Sequence, residues 1–120
     1  MSIEELANET DLAATLLVDE LANNVDGNGD LITVIDCTAI WCGPCKRMLP
    51  ILEDLSSDEE FAPRIFKIDV DKNRGWANEQ GVKGVPNFII FRNGQRAGSF
   101  SGARGKSDFV AEVNKVLDDA

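Results

Sequence analysis

Two cysteines, Cys42 and Cys45, enclose the dipeptide Gly43-Pro44 and follow Trp41 directly. They lie where an apolar run ends and a helical pattern begins. The thiolate is the reactive form of cysteine, and the N-terminus of a helix favours negative charge. Because three residues span about one helical turn, both sulfur atoms can lie on the same side of the helix within bonding distance. The spacing therefore predicts a redox-active dithiol in which Cys42 is the more reactive thiol.

Two structural alternatives compete with this interpretation: a buried pair of core cysteines, and half of a zinc site. The chain has three cysteines and no histidine, so it cannot complete a four-ligand Cys/His zinc site. The lack of histidine also excludes His-based catalytic triads. A core pair would not require Gly-Pro between the thiols or a tryptophan before them. A C-x-x-C motif near a βαβ pattern is typical of redox proteins, and we expect no bound metal.

The elements that position the two thiols are predicted from apolar periodicity. Helices are expected over residues 10–21, 44–55, 74–80 and 106–117, and strands over residues 31–37, 65–70, 87–92 and 96–100. Thr10 is the expected N-cap of the first helix, and residues 1–6 fit either a short edge strand or a frayed helix start. Asn93-Gly94 is typical of a tight hairpin turn. This order predicts a single domain over residues 1–120, an α/β protein with a three-layer α/β/α sandwich around a mixed sheet.

Charge and composition exclude several classes of function. The 120 residues include 21 acidic and 12 basic side chains, and the formal net charge is −9. Nucleic acids and anionic membranes both require clustered Lys and Arg, which this chain lacks. No run of about 18 apolar residues predicts a transmembrane helix. Residues 1–11 contain no Lys or Arg, so we expect no signal or transit peptide, and the odd number of cysteines fits a reducing cytoplasm.

The residues around the two thiols resemble the thioredoxin family. The resemblance rests on the segment TAIWCGPCK at residues 38–46, with Asp36 before it and Gly84-Val85-Pro86 after it. It extends from about residue 31 to about residue 117 through KIDVDKN (67–73), GVKGVPNFIIF (81–91), RNGQ (92–95) and FSGA (100–103). The region before residue 31 is longer than is usual in the family. The resemblance implies the thioredoxin-like fold.

The resemblance also implies a mechanism. Cys42 attacks a substrate disulfide, and Cys45 resolves the mixed disulfide and leaves a Cys42–Cys45 disulfide. Asp36, at the end of a buried strand, accepts the proton of Cys45 through water, and burial raises the pKa of its carboxyl group. The competing interpretation of Asp36 is a strand-end residue that faces water. Lys67 either pairs with this acid or faces solvent.

Further supporting residues follow from the same resemblance. Gly43 and Pro44 keep the two thiols close together, and Pro86 matches the family's cis-proline, with a trans proline at a strand start as the alternative. The Val85 backbone would bind an extended substrate by strand addition. The expected docking patch consists of Ile40, Trp41, Gly84, Val85, Pro86, Gly102 and Ala103.

The sequence thus predicts a monomeric, cytoplasmic protein-disulfide reductase without a bound cofactor. Its partners would be disulfide-containing client proteins and a thioredoxin reductase, through which NADPH is used indirectly. A secretory oxidase or isomerase is disfavoured, because those relatives commonly have histidine where Gly43-Pro44 lies. A binding or chaperone subunit that uses the docking patch without turnover remains the alternative from another class.

Four positions depart from the usual family pattern: Cys37, Thr38, Ile40 and Asn87. Ile40 and Asn87 border the expected substrate groove and could alter substrate choice. Cys37 lies in a strand expected to be covered on both faces, so we expect a buried, unreactive thiol that points away from the face used by Asp36. A regulatory thiol is the competing interpretation.

Overall fold

A five-stranded mixed sheet organises the chain in the computed structural model, which describes residues 3–17 and 25–119. The elements are β1 (Glu4–Leu6), α1 (Glu9–Leu17), β2 (Ile32–Thr38), α2 (Gly43–Ser56), β3 (Arg64–Asp69), α3 (Arg74–Glu79), β4 (Asn87–Arg92), β5 (Gln95–Ser101) and α4 (Lys106–Asp119). The strand order is β1-β3-β2-β4-β5. Strands β1, β2 and β3 are parallel, whereas β4 pairs antiparallel with both β2 and β5. Every predicted strand is present.

Helices cover both faces of the sheet. Alternate side chains of a strand point to opposite faces, so neighbouring residues of β2 pack in different apolar clusters. Val34 of β2 packs in one buried cluster with Leu52 of α2 and Phe109 of α4. Ile35 of β2 packs in a second cluster with Trp76 of α3, which also includes Leu12 of α1. The predicted three-layer α/β/α sandwich is therefore confirmed, with α2 and α4 on one face and α1 and α3 on the other.

The N-terminal elements settle one open question and correct one prediction. Residues 4–6 form an edge strand, and Leu6 lies opposite Ile68 in the parallel pair with β3. The prediction of Thr10 as the helix N-cap is wrong, because Asn8 takes that role: its Oδ1 accepts the backbone N–H of Asp11 at 2.9 Å. Asp11 in turn accepts the N–H of Ala7 at 3.1 Å, an exchange similar to a capping box. The predicted continuation of this helix over residues 18–21 lies outside the described residues.

The β4–β5 hairpin turns at Asn93-Gly94, as the sequence predicts. Both residues adopt positive φ, 51° and 83°, which a two-residue turn of type I′ requires. The Asn93 N–H donates to the carbonyl of Leu31 at 2.8 Å, and its Oδ1 accepts the N–H of Leu31 at 2.9 Å. The turn therefore binds the residue that enters β2, at the end of β2 opposite to the two thiols. No helix within the described ranges is long and apolar enough to cross a membrane.

Candidate active site at the start of helix α2

The two thiols lie where the central strand β2 gives way to α2. Cys42 is the N-cap residue of α2, with the extended backbone conformation (φ −87°, ψ 108°) typical of that position. Pro44 lies in the first turn, where its missing N–H removes no intrahelical hydrogen bond. The sequence Cys-Gly-Pro-Cys therefore places a helix start shortly after the C-terminal end of the central strand β2.

A disulfide joins Cys42 to Cys45, whose Cα atoms are 5.3 Å apart. The Cys42 Sγ also accepts the backbone N–H of Cys45 at 3.1 Å, as a capping oxygen does in most helices. Each cysteine is only 2% exposed. After reduction, the same N–H and the helix dipole favour the Cys42 thiolate. The geometry thus supports the predicted difference in reactivity between the two thiols.

Arg47 supplies a positive charge near this helix start. Its Nη1 lies 3.6 Å from the position that a Cβ atom on Gly43 would occupy, so the guanidinium group packs beside the residue that follows Cys42. Lys46, the cation that the sequence places next to Cys45, is exposed. Sequence reasoning missed Arg47, although its spacing of four residues from Gly43 places both on one helical face.

Asp36 is completely buried in β2. Both of its carboxylate oxygens lack a hydrogen-bond partner in the described part of the chain. Burial raises the pKa of Asp36 to about 7, while the positive charge of Lys67 acts in the opposite direction. Asp36 shares a strand face with Val34, which packs against α2. The carboxyl group therefore lies on the sheet face that α2 covers, and the water-facing interpretation of Asp36 is wrong.

Lys67 lies opposite Asp36 in the parallel pairing of β2 with β3. The described residues contain no ion pair between the two side chains, and Lys67 is half-buried. It also lines a groove of about 320 Å³ that borders Cys45. Lys67 thus acts on Asp36 through its charge without forming an ion pair, and the lysine itself lies along a groove that opens to solvent. This arrangement lies between the two predicted alternatives, a paired lysine and a solvent-facing one.

Cys37 is a free, completely buried cysteine. It belongs to the cluster beneath α1 and α3, together with Trp76, and so faces away from Asp36. Burial, followed by the nearby negative charge of Asp36, raises the pKa of the Cys37 thiol to about 12. The predicted buried position is confirmed, and the raised pKa keeps the thiol protonated and unreactive at neutral pH.

The residues of the expected docking patch differ in exposure, and Pro86 departs from the prediction. Ile40 and Trp41 are 78% and 67% exposed, which is unusual for large apolar side chains. Gly84 and Ala103 are exposed, Val85 and Gly102 are half-buried, and Pro86 is buried. The peptide bond between Val85 and Pro86 is cis. Because Pro86 is buried, it contributes little surface to the patch. The Pro86 carbonyl accepts the N–H of Gly102 at 2.9 Å.

Trp41 is held in place by a residue that sequence reasoning missed. Its indole Nε1–H donates to Asp71 Oδ2 at 2.7 Å, and Asp71 Oδ1 lies 3.8 Å from an Nη atom of Arg74. These residues line a groove of about 290 Å³ that runs from Trp41 to Val85. Thirty positions separate Trp41 from Asp71, so no local pattern indicates their contact.

Within the described ranges, no cluster of potential ligands could hold a metal ion.

Comparisons with known proteins agree with this geometry. The thioredoxin family profile matches residues 13–115. Human thioredoxin is 40% identical over 94 residues, which cover 78% of this chain and 87% of the human protein. The thioredoxin of Fasciola hepatica has a similar structure, with a TM-score of 0.74 at 27% identity, covering 94% of this chain and 98% of that one. The oxidised mitochondrial thioredoxin 3 of Saccharomyces cerevisiae also gives 0.74, at 29% identity with 94% of each chain covered. The match to the family profile, which spans most of the sequence, shows that this chain belongs to the thioredoxin family.

Proposed function

We propose that this protein reduces disulfides in client proteins and is re-reduced by an NADPH-linked thioredoxin reductase. Family membership and the disulfide between Cys42 and Cys45 support protein-disulfide reductase activity. The observation that carries the proposal is the position of Cys42 at the N-cap of α2, where its sulfur accepts a backbone N–H. This position activates one thiol of the pair and leaves the other as the resolving thiol.

In the first step, the Cys42 thiolate attacks one sulfur of the client disulfide. The client S–S bond breaks, its second sulfur leaves as a thiolate and takes a proton from solvent, and a mixed disulfide joins Cys42 to the client. The N–H of Cys45 and the positive end of the α2 dipole stabilise the attacking thiolate. Arg47, beside Gly43, adds to this stabilisation.

In the second step, Cys45 loses its proton and attacks the Cys42 sulfur. The Cys42–Cys45 disulfide forms, the mixed disulfide breaks, and the client leaves with both of its sulfurs reduced. Two electrons have passed from the dithiol to the client. Asp36 accepts the Cys45 proton through water, because a carboxyl group with a pKa of about 7 exchanges protons readily at neutral pH. Lys67 and the groove beside Cys45 connect this region to solvent.

Clients bind across the docking patch as extended segments. Exposed Ile40 and Trp41 provide apolar contact, and the backbone of Val85 adds hydrogen bonds by strand addition. We place this activity in the cytoplasm, where a reducing environment keeps client cysteines as thiols after each turnover. A binding subunit without turnover is not favoured, because it has no use for a complete dithiol.

Insulin reduction with dithiothreitol tests the proposal. The wild-type protein should accelerate precipitation of the insulin B chain, whereas Cys42→Ser should reduce the rate to that of dithiothreitol alone. Cys37→Ala is the matched control, because it removes the third thiol from the opposite face of the sheet and should retain the wild-type rate. Equal rates for wild type and Cys42→Ser would support the binding-subunit alternative.

A further inference from the structure

The groove between Trp41 and Val85 carries more positive than negative charge, although the chain as a whole has a formal net charge of −9. Its charged side chains are Arg74, Lys83 and Asp71. We infer that Arg74 and Lys83 make this groove selective for client disulfides that are flanked by acidic residues. The inference rests on the proposed reductase function and concerns the choice of client.

The single acid of the groove is already engaged. Asp71 Oδ2 accepts the Trp41 indole N–H at 2.7 Å, and Oδ1 lies 3.8 Å from Arg74. The Asp71 backbone is held as well, because its N–H donates to Asp69 Oδ1 at 2.8 Å. Asp71 is therefore a fixed part of the groove wall that orients Trp41 and Arg74, and its charge is balanced by that of Arg74.

One net positive charge remains in the groove after Asp71 is balanced, and both cations still present N–H donors to a client. The Arg74 side chain is 79% exposed, so most of its five N–H donors face solvent. Lys83 is exposed, and the described residues offer it no ion-pair partner. A carboxylate is the group that complements this pair of cations, because Arg and Lys both donate charge-assisted hydrogen bonds to it.

The position of Lys83 fits a residue close to the client cysteine. Lys83 precedes Val85 by two residues, and both residues line the same groove. A client segment that binds the Val85 backbone therefore passes within a few residues of Lys83. Acidic residues within two positions of the cysteine should determine the selectivity.

The test uses three peptides that share one disulfide and differ only in the residues within two positions of each cysteine: Glu, Gln or Lys. The measured quantity is kcat/KM for reduction by the reduced protein at low salt and at about 1 M salt, where the Debye length falls to about 3 Å. We expect the Glu peptide to react about fivefold faster than the Lys peptide at low salt, since exposed ion pairs each change rates a few-fold. This preference should largely disappear at high salt.

The direction of the preference is diagnostic, because a net charge of −9 acting alone would favour the Lys peptide. Lys83→Glu and Arg74→Glu should each reduce or reverse the preference for the Glu peptide. The matched control is Lys115→Glu, which makes the same charge change at an exposed position of α4. This helix lies on the face of the sheet opposite to α3, which carries Arg74. This control should leave the preference unchanged.

Two results would overturn the inference: equal or faster reduction of the Lys peptide by the wild type, or a loss of preference in Lys115→Glu equal to that in Lys83→Glu. The Gln peptide separates this failure from failure of the proposed function. If the Gln peptide is reduced normally without any charge preference, only the inference about clients is wrong. If none of the three peptides is reduced, the reductase function itself is wrong.

Discussion

The buried carboxyl group of Asp36 should make the stability of the oxidised protein decrease as pH rises. Its pKa is about 7 in the folded protein and 3.8 as the reference for the unfolded chain. The folded state therefore binds the proton more tightly, and protonated Asp36 makes its full contribution to the free energy of unfolding below about pH 4. This contribution is lost progressively as pH rises from about 4 to about 7. Above about pH 7, Asp36 causes no further change in the free energy of unfolding. At about 1.4 kcal/mol per pH unit, the whole change is about 4 kcal/mol.

Replacement of Asp36 by Asn isolates this contribution. The amide has nearly the same shape but does not titrate, so the cost of its unpaired polar atoms, about 1–3 kcal/mol, is independent of pH. The difference in the free energy of unfolding between Asp36→Asn and wild type should therefore shift by about 4 kcal/mol in favour of the variant between pH 4 and pH 8. The other acids cancel in this difference.

Urea denaturation of both oxidised proteins at several pH values measures the difference. Asp118→Asn makes the same change at an exposed acid near the end of α4 and is the control for the substitution itself. A flat curve for Asp36→Asn would refute the reasoning, because it would mean that the buried carboxyl titrates in the folded protein as it does in the unfolded chain. In turnover assays, the same variant should be slowed in the step that resolves the mixed disulfide.

Three further predictions concern the site and its support. The reduced Cys42 thiol should be alkylated with a midpoint pH below the value of about 8.5 for a free thiol, and Arg47→Ala should move that midpoint upward; an unchanged midpoint would remove Arg47 from the site. In the oxidised protein, Cys37 should resist thiol reagents until denaturant is added, whereas rapid native labelling would revive the regulatory interpretation. A Cβ atom on Gly98 would lie 2.8 Å from Val116 Cγ1, so Gly98→Ala should lower the free energy of unfolding by about 1–3 kcal/mol. Adding Val116→Ala should restore part of this loss, and an unchanged denaturation midpoint for Gly98→Ala alone would contradict the packing argument.

Local patterns predicted the elements that carry the dithiol. The predicted and observed bounds of β2 differ by one residue, 31–37 against Ile32–Thr38. The difference arises because a strand that is buried on both faces has no alternation of apolar and polar residues to mark its ends. The helix start at Cys42 follows from Pro44, which strongly favours the first turn. Asp36 was predicted to be buried because its strand neighbours are apolar.

Features that depend on contacts between distant residues could not be predicted. The hydrogen bond from Trp41 to Asp71 joins two loops that meet only when β2 and β3 pair side by side. β1 has only three residues, too few for a period to be recognised, and its strand conformation depends on pairing with β3. The choice of Asn8 over Thr10 as N-cap depends on where the chain leaves β1, which the helical pattern alone does not specify.

The short spacing of the two active-site cysteines separates electron storage from the maintenance of the fold. The disulfide closes a loop of only three peptide units, and the entropy that a crosslink removes from the unfolded chain grows with loop length. By this loop-entropy argument, so local a disulfide stabilises the folded state by about 2 kcal/mol, less than half the stabilisation from a disulfide that closes a loop of about 100 residues. The sheet and its two apolar clusters lie outside the loop. The protein can therefore open and close its disulfide at every turnover while the scaffold that recognises the next client persists unchanged.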